Sequence, residues 1–465
     1  MFFSSQCRRR LQLFSGGILL LLSCHPGAPQ NSLPRTTPLD LVAKTPECQT
    51  FLASLPADVN QDFVRVPEDW DHPEGPSIDV AFFYGKSTTI TLPSGVKPRR
   101  DIAFFNGGPA SSSHGAFFLR QWELKLPLRF VFIDQRGTGC STPYPNADST
   151  ASIDRIRFYT SRSIIKDAEA IRKKILGQDA TWSIFGQSFG SLIVHRYLEE
   201  APQNLDAAYA HGFAAVSDPK TFVVERLRAT GRNAEAYFKQ YPDDAALVDA
   251  IRAQIQSDFC IKSAQQKLCG PAMLDGAAFL LGFADQWSHL HEQLGKMLDS
   301  TGALQLDILQ NYVLENDLDG SDTAVASWVI SLTEITAGLD DKSSCEAGMN
   351  QLESEGLSPK SWRFNECRLL SALTFDGINA DPSLSQFSID PLRIDVIENQ
   401  LTKFPKLPLY LYAGQKDSLV PAATFKEEAA ALGDRITYRE FPNSGHDGFY
   451  SERQVWIDLL SPVKK

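Results

Sequence analysis

The apolar run at 181–186 opens through Gly186-Gln187-Ser188-Phe189-Gly190 directly into a helix-like segment over 189–200. A strand that becomes a helix within so few residues must turn sharply, and small residues on either side of the turn avoid a clash. Such a turn leaves Ser188 Oγ exposed. The helix N-terminus behind it offers backbone N–H groups and a field that favours a developing oxyanion. Five-residue patterns with three fixed positions recur by chance, so the strand–turn–helix setting gives this one its weight.

The surrounding segments predict an α/β domain interrupted by a long helical stretch. Residues 62–66 and 77–84 alternate or run apolar between turn signals and are expected to be strands, as are 101–106, 129–134 and 181–186. Short apolar runs separated by helical patterns imply a mostly parallel sheet covered on both faces. From about 218 to 395 strand signals become scarce and helix-period segments such as 244–258 and 323–337 take over. Strand character returns at 408–413 and 436–441, before a final helix near 450–460. The late strands need partners, so one sheet domain (48–217 and 396–465) split by a helical cap (218–395) fits better than two successive domains.

Residues 1–23 read as a lipoprotein-type signal. Arg8, Arg9 and Arg10 precede an apolar stretch from Leu11 to Leu22 that is too short to span a bilayer. The segment ends Leu21-Leu22-Ser23-Cys24, which makes Cys24 the expected lipidation site. Residues 24–47, rich in proline, then form an extended tether, and the domain would sit on the cell envelope, touching membrane only through that anchor. The remaining cysteines, Cys48, Cys140, Cys260, Cys269, Cys345 and Cys367, suit disulfides in an exported chain. Proximity favours Cys260–Cys269 and Cys345–Cys367, which leaves Cys48–Cys140. No close CxxC or HxxxH spacing supports a metal site. A net charge of −11 without a basic run excludes an electrostatic nucleic-acid footprint.

A serine hydroxyl is a weak nucleophile that needs an adjacent base and an acid to orient the base. When the nucleophile sits on such an elbow, the acid and the histidine follow it in that chain order. Asp417 lies just past the strand at 408–413, and His446 lies in Asn443-Ser444-Gly445-His446 just past the last strand. All three belong at C-terminal strand ends, which converge on one crevice. Asp447 adjoins His446 too closely to orient its ring; His195, His289 and His291 read as structural. The turn Asn106-Gly107-Gly108-Pro109 can bring a second backbone N–H to the oxyanion, from Gly107 or Gly108, beside that of Phe189. No cofactor is required.

Three blocks carry a family resemblance. Asn106-Gly107-Gly108-Pro109-Ala110 looks like the His-Gly-Gly-Pro-Gly oxyanion turn of prolyl iminopeptidases and related tripeptidyl aminopeptidases of the α/β-hydrolase fold. Asp134-Gln135-Arg136-Gly137-Thr138-Gly139-Cys140-Ser141 resembles their Asp-Gln-Arg-Gly-x-Gly-x-Ser motif, and Gly186 to Gly190 supplies the nucleophile elbow. The likeness covers 60–215 and 405–460 and is thin over the insertion. Asn106 and Ala110 depart from the family pattern. The resemblance implies a serine aminopeptidase that takes peptides with a free N-terminus beneath a helical cap. An amino group then calls for a carboxylate, and Glu334 is the first candidate, ahead of Glu315 and Asp317. The rival readings are an ester hydrolase with the same triad and a non-catalytic binding lipoprotein.

Overall fold

The computed structural model describes residues 45–86, 100–123, 126–145, 155–212, 214–215, 219–262, 266–316, 334, 341–375 and 392–460. The signal segment, Cys24 and the tether before residue 45 lie outside them, as do Asp317 and most of 323–337. Eleven strands are present among the described residues: β1 (Val59–Pro67), β2 (Ser77–Gly85), β3 (Arg100–Phe105), β4 (Leu128–Ile133), β5 (Trp182–Gln187), β6 (Leu205–His211), β7 (Cys260–Lys262), β8 (Gln266–Cys269), β9 (Leu373–Phe375), β10 (Leu409–Gly414) and β11 (Ile436–Phe441). Eight form one sheet in the order β1-β2-β4-β3-β5-β6-β10-β11. The first two strands join it antiparallel, and every pairing from β4 to β11 is parallel.

The central strands are apolar on both faces because helices cover both. On β3, Ala103 and Phe105 pack with Ile184 and with the helices Ser161–Leu176 (α2) and Phe189–Glu200 (α3), through Ile164, Leu192 and Ile193. The alternate residues Ile102 and Phe104 turn to the opposite face, among Phe132, Phe185, Cys48 and Leu459. Helix α1 (Pro46–Ser54) lies on that second face. Its N-cap Thr45 accepts from Cys48 N–H at 3.1 Å, which satisfies one of the donors a helix start leaves open.

Strand β6 is the element that the sequence patterns pass over. Leu-Asp-Ala-Ala-Tyr-Ala-His carries few of the β-branched and aromatic residues that mark a strand. Its alanines are nonetheless fully buried between helices, where small side chains let the layers approach. Its position between β5 and β10 makes it the bridge between the two halves of the sheet.

Between β6 and β10 the chain builds a second apolar cluster, including Tyr237, Val248, Ile251, Leu268, Met273, Leu290 and Val313. The long helix Pro219–Gln240 (α4) enters it, and the short antiparallel sheet β7-β8-β9 adds strands where few were expected. Buried Asp275 ties this region together by accepting from Arg252, from Arg368 and from the backbone N–H of Asn365 at 2.9 Å. Disulfides Cys260–Cys269 and Cys345–Cys367 close short loops here, and Cys48–Cys140 joins α1 to the segment after β4. Helix Ile394–Lys403 (α5) returns the chain to the sheet core through Ile394, Ile397 and Leu401, so the sheet region resumes just before the expected boundary at 396.

Candidate active site

Ser188 sits between β5 and α3 with φ 56° and ψ −123°, a left-handed backbone that a residue with a side chain adopts only under constraint. The constraint is visible. Ser188 N–H donates to His211 O at 2.7 Å, from the end of neighbouring β6. A Cβ at Gly186 would lie 2.0 Å from Gly190 O, and one at Gly190 would lie 2.0 Å from Phe105 O. Both glycines of the motif are therefore steric requirements of the turn. Ser188 itself is partly exposed.

Asp417 and His446 follow β10 and β11 at the same edge of the sheet. His446 Nδ1 donates to Asp417 Oδ2 at 2.8 Å, and because an ionised carboxylate only accepts, this bond fixes the tautomer that leaves Nε2 as the base. The other oxygen of Asp417 accepts from Leu419 N–H and Val420 N–H, both at 2.9 Å. Histidine and serine meet at Gly212. A Cβ there would lie 3.1 Å from His446 Cε1 and 3.2 Å from Ser188 N, and φ is +80°, so space and backbone both call for glycine. Asp417 and His446 are thus joined by a hydrogen bond, and His446 and Ser188 both border Gly212.

The turn after β3 completes the arrangement. A Cβ at Gly107 would come within 2.9 Å of Ser188 Cβ, which places the Gly107 backbone against the nucleophile. Phe189 occupies the first turn of α3, where helix geometry leaves N–H groups without an intrahelical partner. A Cβ on Gly108 would instead meet Ser111 N and Ala110 N, so of the two it is Gly107 whose backbone lies against Ser188. Ala110 holds φ 68°, a conformation that suits the glycine of the family motif and strains an alanine. Within the Asp-Gln-Arg-Gly block, Arg136 is fully buried and grips Asp167 with two bonds of 2.7 and 2.6 Å, fastening α2 to the sheet. Gln135 Nε2 donates to Asn106 O at 3.0 Å, so the block also holds the turn.

Glu334 is not aimed at this site. It is almost fully buried and accepts from Ser161 N–H at 2.8 Å and from Ser161 Oγ at the start of α2, and burial pushes its pKa up. No contact joins it to Ser188 among the described residues, which leaves the expected amino-group role without supporting geometry. Glu315 has no described side chain. Two other carboxylates do reach the site. The insertion segment around Gly282 to Gln286 lies on the His446 loop: His446 N–H donates to Gly282 O at 2.9 Å, and Phe283 meets the His446 ring edge-on. That segment carries Asp285, and Asp447 follows His446. Burial and the charge of Asp285 push Asp447 up to about 6; Asp285 itself is exposed, and partial desolvation raises it. Neither makes an ion pair among the described residues, and the placement of Asp285 beside the His446 loop could not be read from spacing along the chain.

Buried His211 makes no hydrogen bond through either ring nitrogen and packs against Phe449. Burial and the nearby His446 hold its pKa down to about 3, so it is neutral at any working pH. His195 pairs with Glu428 in the core, and His291 with Asp244 in the insertion. Among the described residues, the cluster with metal-ligand types at close range is His114, Asp134 and Cys140, and Cys140 Sγ is committed to Cys48. No described helix is long and apolar enough to cross a membrane.

The fold is that of an α/β-hydrolase, and a family model described as alpha/beta hydrolase fold matches residues 102–252. Over part of its length the chain is similar to proline iminopeptidases. It is 31% identical to a proline iminopeptidase of Aeromonas sobria over 32% of this chain and 36% of that one. It is 29% identical to a proline iminopeptidase of Aspergillus aculeatus over 28% and 31% of the two chains. The chain thus spans about a third of the length of the curated relatives it matches. A solved proline iminopeptidase from Mycobacterium smegmatis superposes over 86% of this chain and 96% of its own, with 14% identity and a TM-score of 0.38.

Proposed function

We propose that the protein is an exported serine aminopeptidase that removes N-terminal residues from peptides by acyl transfer. The observation that carries this reading is the strained Ser188 elbow, set beside the Asp417–His446 pair and the Gly107 backbone. Ser188 Oγ attacks the scissile carbonyl while His446 Nε2 takes its proton and then gives it to the leaving amine. Asp417 orients the imidazole and stabilises its charged form. The N–H groups of Phe189 and Gly107 receive the oxyanion, a contribution of about 3 kcal/mol for a single such donor. Water then enters along the leaving-group path, His446 acts again as base, and the acyl-enzyme is cleaved. Residues alone supply every proton movement in this scheme.

Specificity for a free N-terminus is supported by the relatives' names and by Asp285 and Asp447, whose negative charge beside His446 suits an ammonium group. An ester hydrolase would use the same triad without need of that charge. The test is hydrolysis of matched substrates by the purified protein: a free-amino proline anilide, its N-blocked form, a tripeptidyl anilide and a short acyl ester. Cleavage restricted to free-amino anilides is expected, with loss of turnover and retained folding in Ser188→Ala. Indifference to the N-terminal block, or preference for the ester, would overturn the peptidase reading and leave the serine hydrolase.

A further inference from the structure

The segment that follows the oxyanion turn is anchored on a charged cluster behind the site. Asp134, fully buried at the end of β4, accepts from Ser113 N–H at 2.9 Å, Ser113 Oγ at 2.7 Å and Cys140 N–H at 2.8 Å. Its fourth partner is His114, whose Nε2 stands 2.9 Å from Asp134 Oδ2. The other ring nitrogen of His114, Nδ1, lies 3.4 Å from Glu47 Oε1. Carboxylates on both sides demand an N–H from each nitrogen, which only the imidazolium has. The ring also stacks on Phe51, 3.7 Å between centroids. Glu47, Phe51 and Cys48 all belong to α1, and Cys48 is joined to Cys140. Ser112 Oγ adds a bond to Glu47 at 3.1 Å, and Asn106 Nδ2 donates to Ser112 O at 2.6 Å. One short helix therefore holds the segment that follows the turn by a ring stack and a carboxylate, and is itself tied by its disulfide to the segment after β4.

We propose that His114, in its charged form, is a positioning residue for the oxyanion turn, and that α1 is the clamp that keeps it charged and in place. The proposal rests on the acyl-transfer reading above, because it assigns the turn a role in stabilising the oxyanion. Burial alone would lower the pKa of His114; the hydrogen bonds to Asp134 and Glu47, with their charges, outweigh it and push the imidazole up to about 9. The groups facing the ring are Asp134 on β4, Glu47 and Phe51 on α1, and the Cys48–Cys140 sulfurs; none can replace a lost proton. When His114 deprotonates, it can donate to only one of its two carboxylates, so its bridge between Asp134 and Glu47 is broken. The segment that carries Ser112, Ser113 and His114 is then held less firmly, and it is this segment that accepts from Asn106, next to Gly107, through Ser112 O. Because the turn acts on the oxyanion and does not touch the amino end of a substrate, the effect falls on kcat.

The test varies Glu47, whose side chain is mostly exposed and whose replacement spares the core. For the full chain and for Glu47→Gln, kcat and KM on a short acyl ester are measured from pH 6 to 10.5, beside the rate of labelling by a fluorophosphonate at pH 7. In the unmodified protein kcat should fall on an alkaline limb near pH 9, the value set by the His114 environment. Glu47→Gln should move that limb down by about one pH unit with KM unchanged within about twofold, since one of two charge partners is gone. His114→Gln should abolish the limb and lower kcat roughly tenfold at all pH values. A limb that stays where it was in Glu47→Gln, or a change confined to KM, overturns the proposal. Absence of both labelling and ester turnover in the unmodified protein would instead overturn the serine-hydrolase reading on which it rests.

Discussion

The sheet edge and the seam with the insertion contribute to one site in different ways. At the sheet edge, each functional group is placed by backbone geometry: a left-handed serine, glycines that only a hydrogen can fill, and an aspartate bound by two main-chain N–H groups. At the seam, the contribution is charge. Asp285 arrives from the insertion and Asp447 from the His446 loop, and neither makes an ion pair among the described residues. On the proposed reading, chemistry is built at the sheet edge and selection where two separately packed clusters touch. In that reading the first acts on any acyl group and the second on substrates that carry a cation.

Asp417→Asn separates the two most sharply. It should lower kcat by roughly 10⁴-fold on esters and anilides alike, because the imidazole loses both its orientation and the stabilisation of its charged form. A loss that depended on the N-terminal block would break the comparison. Asp447→Asn should do the reverse, raising KM for free-amino anilides by about tenfold, close to 1.4 kcal/mol, and leaving ester turnover alone. The same residue makes a pH signature. The folded pKa of Asp447 is above its ordinary value, so its negative charge is present above about pH 6 and is lost as the pH falls through it. KM for free-amino substrates should therefore rise below that pH in the unmodified protein and stay flat in the variant. Ionising this carboxylate also disfavours the folded state at neutral pH, so Asp447→Asn should melt at a higher temperature than the unmodified chain at pH 7.5. The smallest effect is expected at Ala110, where φ 68° suits glycine. Ala110→Gly should raise stability by about 1 kcal/mol, read from chemical denaturation, with kcat little changed.

The same contrast explains what could be read from the sequence. The elbow, the order of serine, acid and histidine, and the turn after β3 are local patterns, since each is fixed within a few residues of a strand end. The helix over 189–200 and the strand over 436–441 agree with the structure to the residue. Strand β6 was hidden because burial between layers selected alanine where strand propensity would select valine or isoleucine. Glu334 looked like a site residue because its local pattern said helix in a cap, yet tertiary packing committed its carboxylate to Ser161, far along the chain. Asp285 had no local mark at all. Its importance comes from the fold that lays residues 282–286 on the loop of His446, and no spacing within the insertion encodes that.

The bond from His446 N–H to Gly282 O has a further consequence, for modularity. Insertions of this kind invite deletion or exchange, as though the sheet were a chassis and the cap an accessory. Here a main-chain carbonyl of the accessory holds the histidine's own backbone, and a Cβ on Gly282 would press on Leu419 and Ser418 of the Asp417 loop. Asn233 adds a stitch, donating to Leu281 O at 3.0 Å and to Lys416 O at 2.7 Å. A chimera that discards residues 281–284 removes part of the scaffold of the triad along with the lid. Any graft of a foreign cap onto this sheet must therefore bring its own equivalent of that short strip, or it will inherit a histidine with nothing behind it.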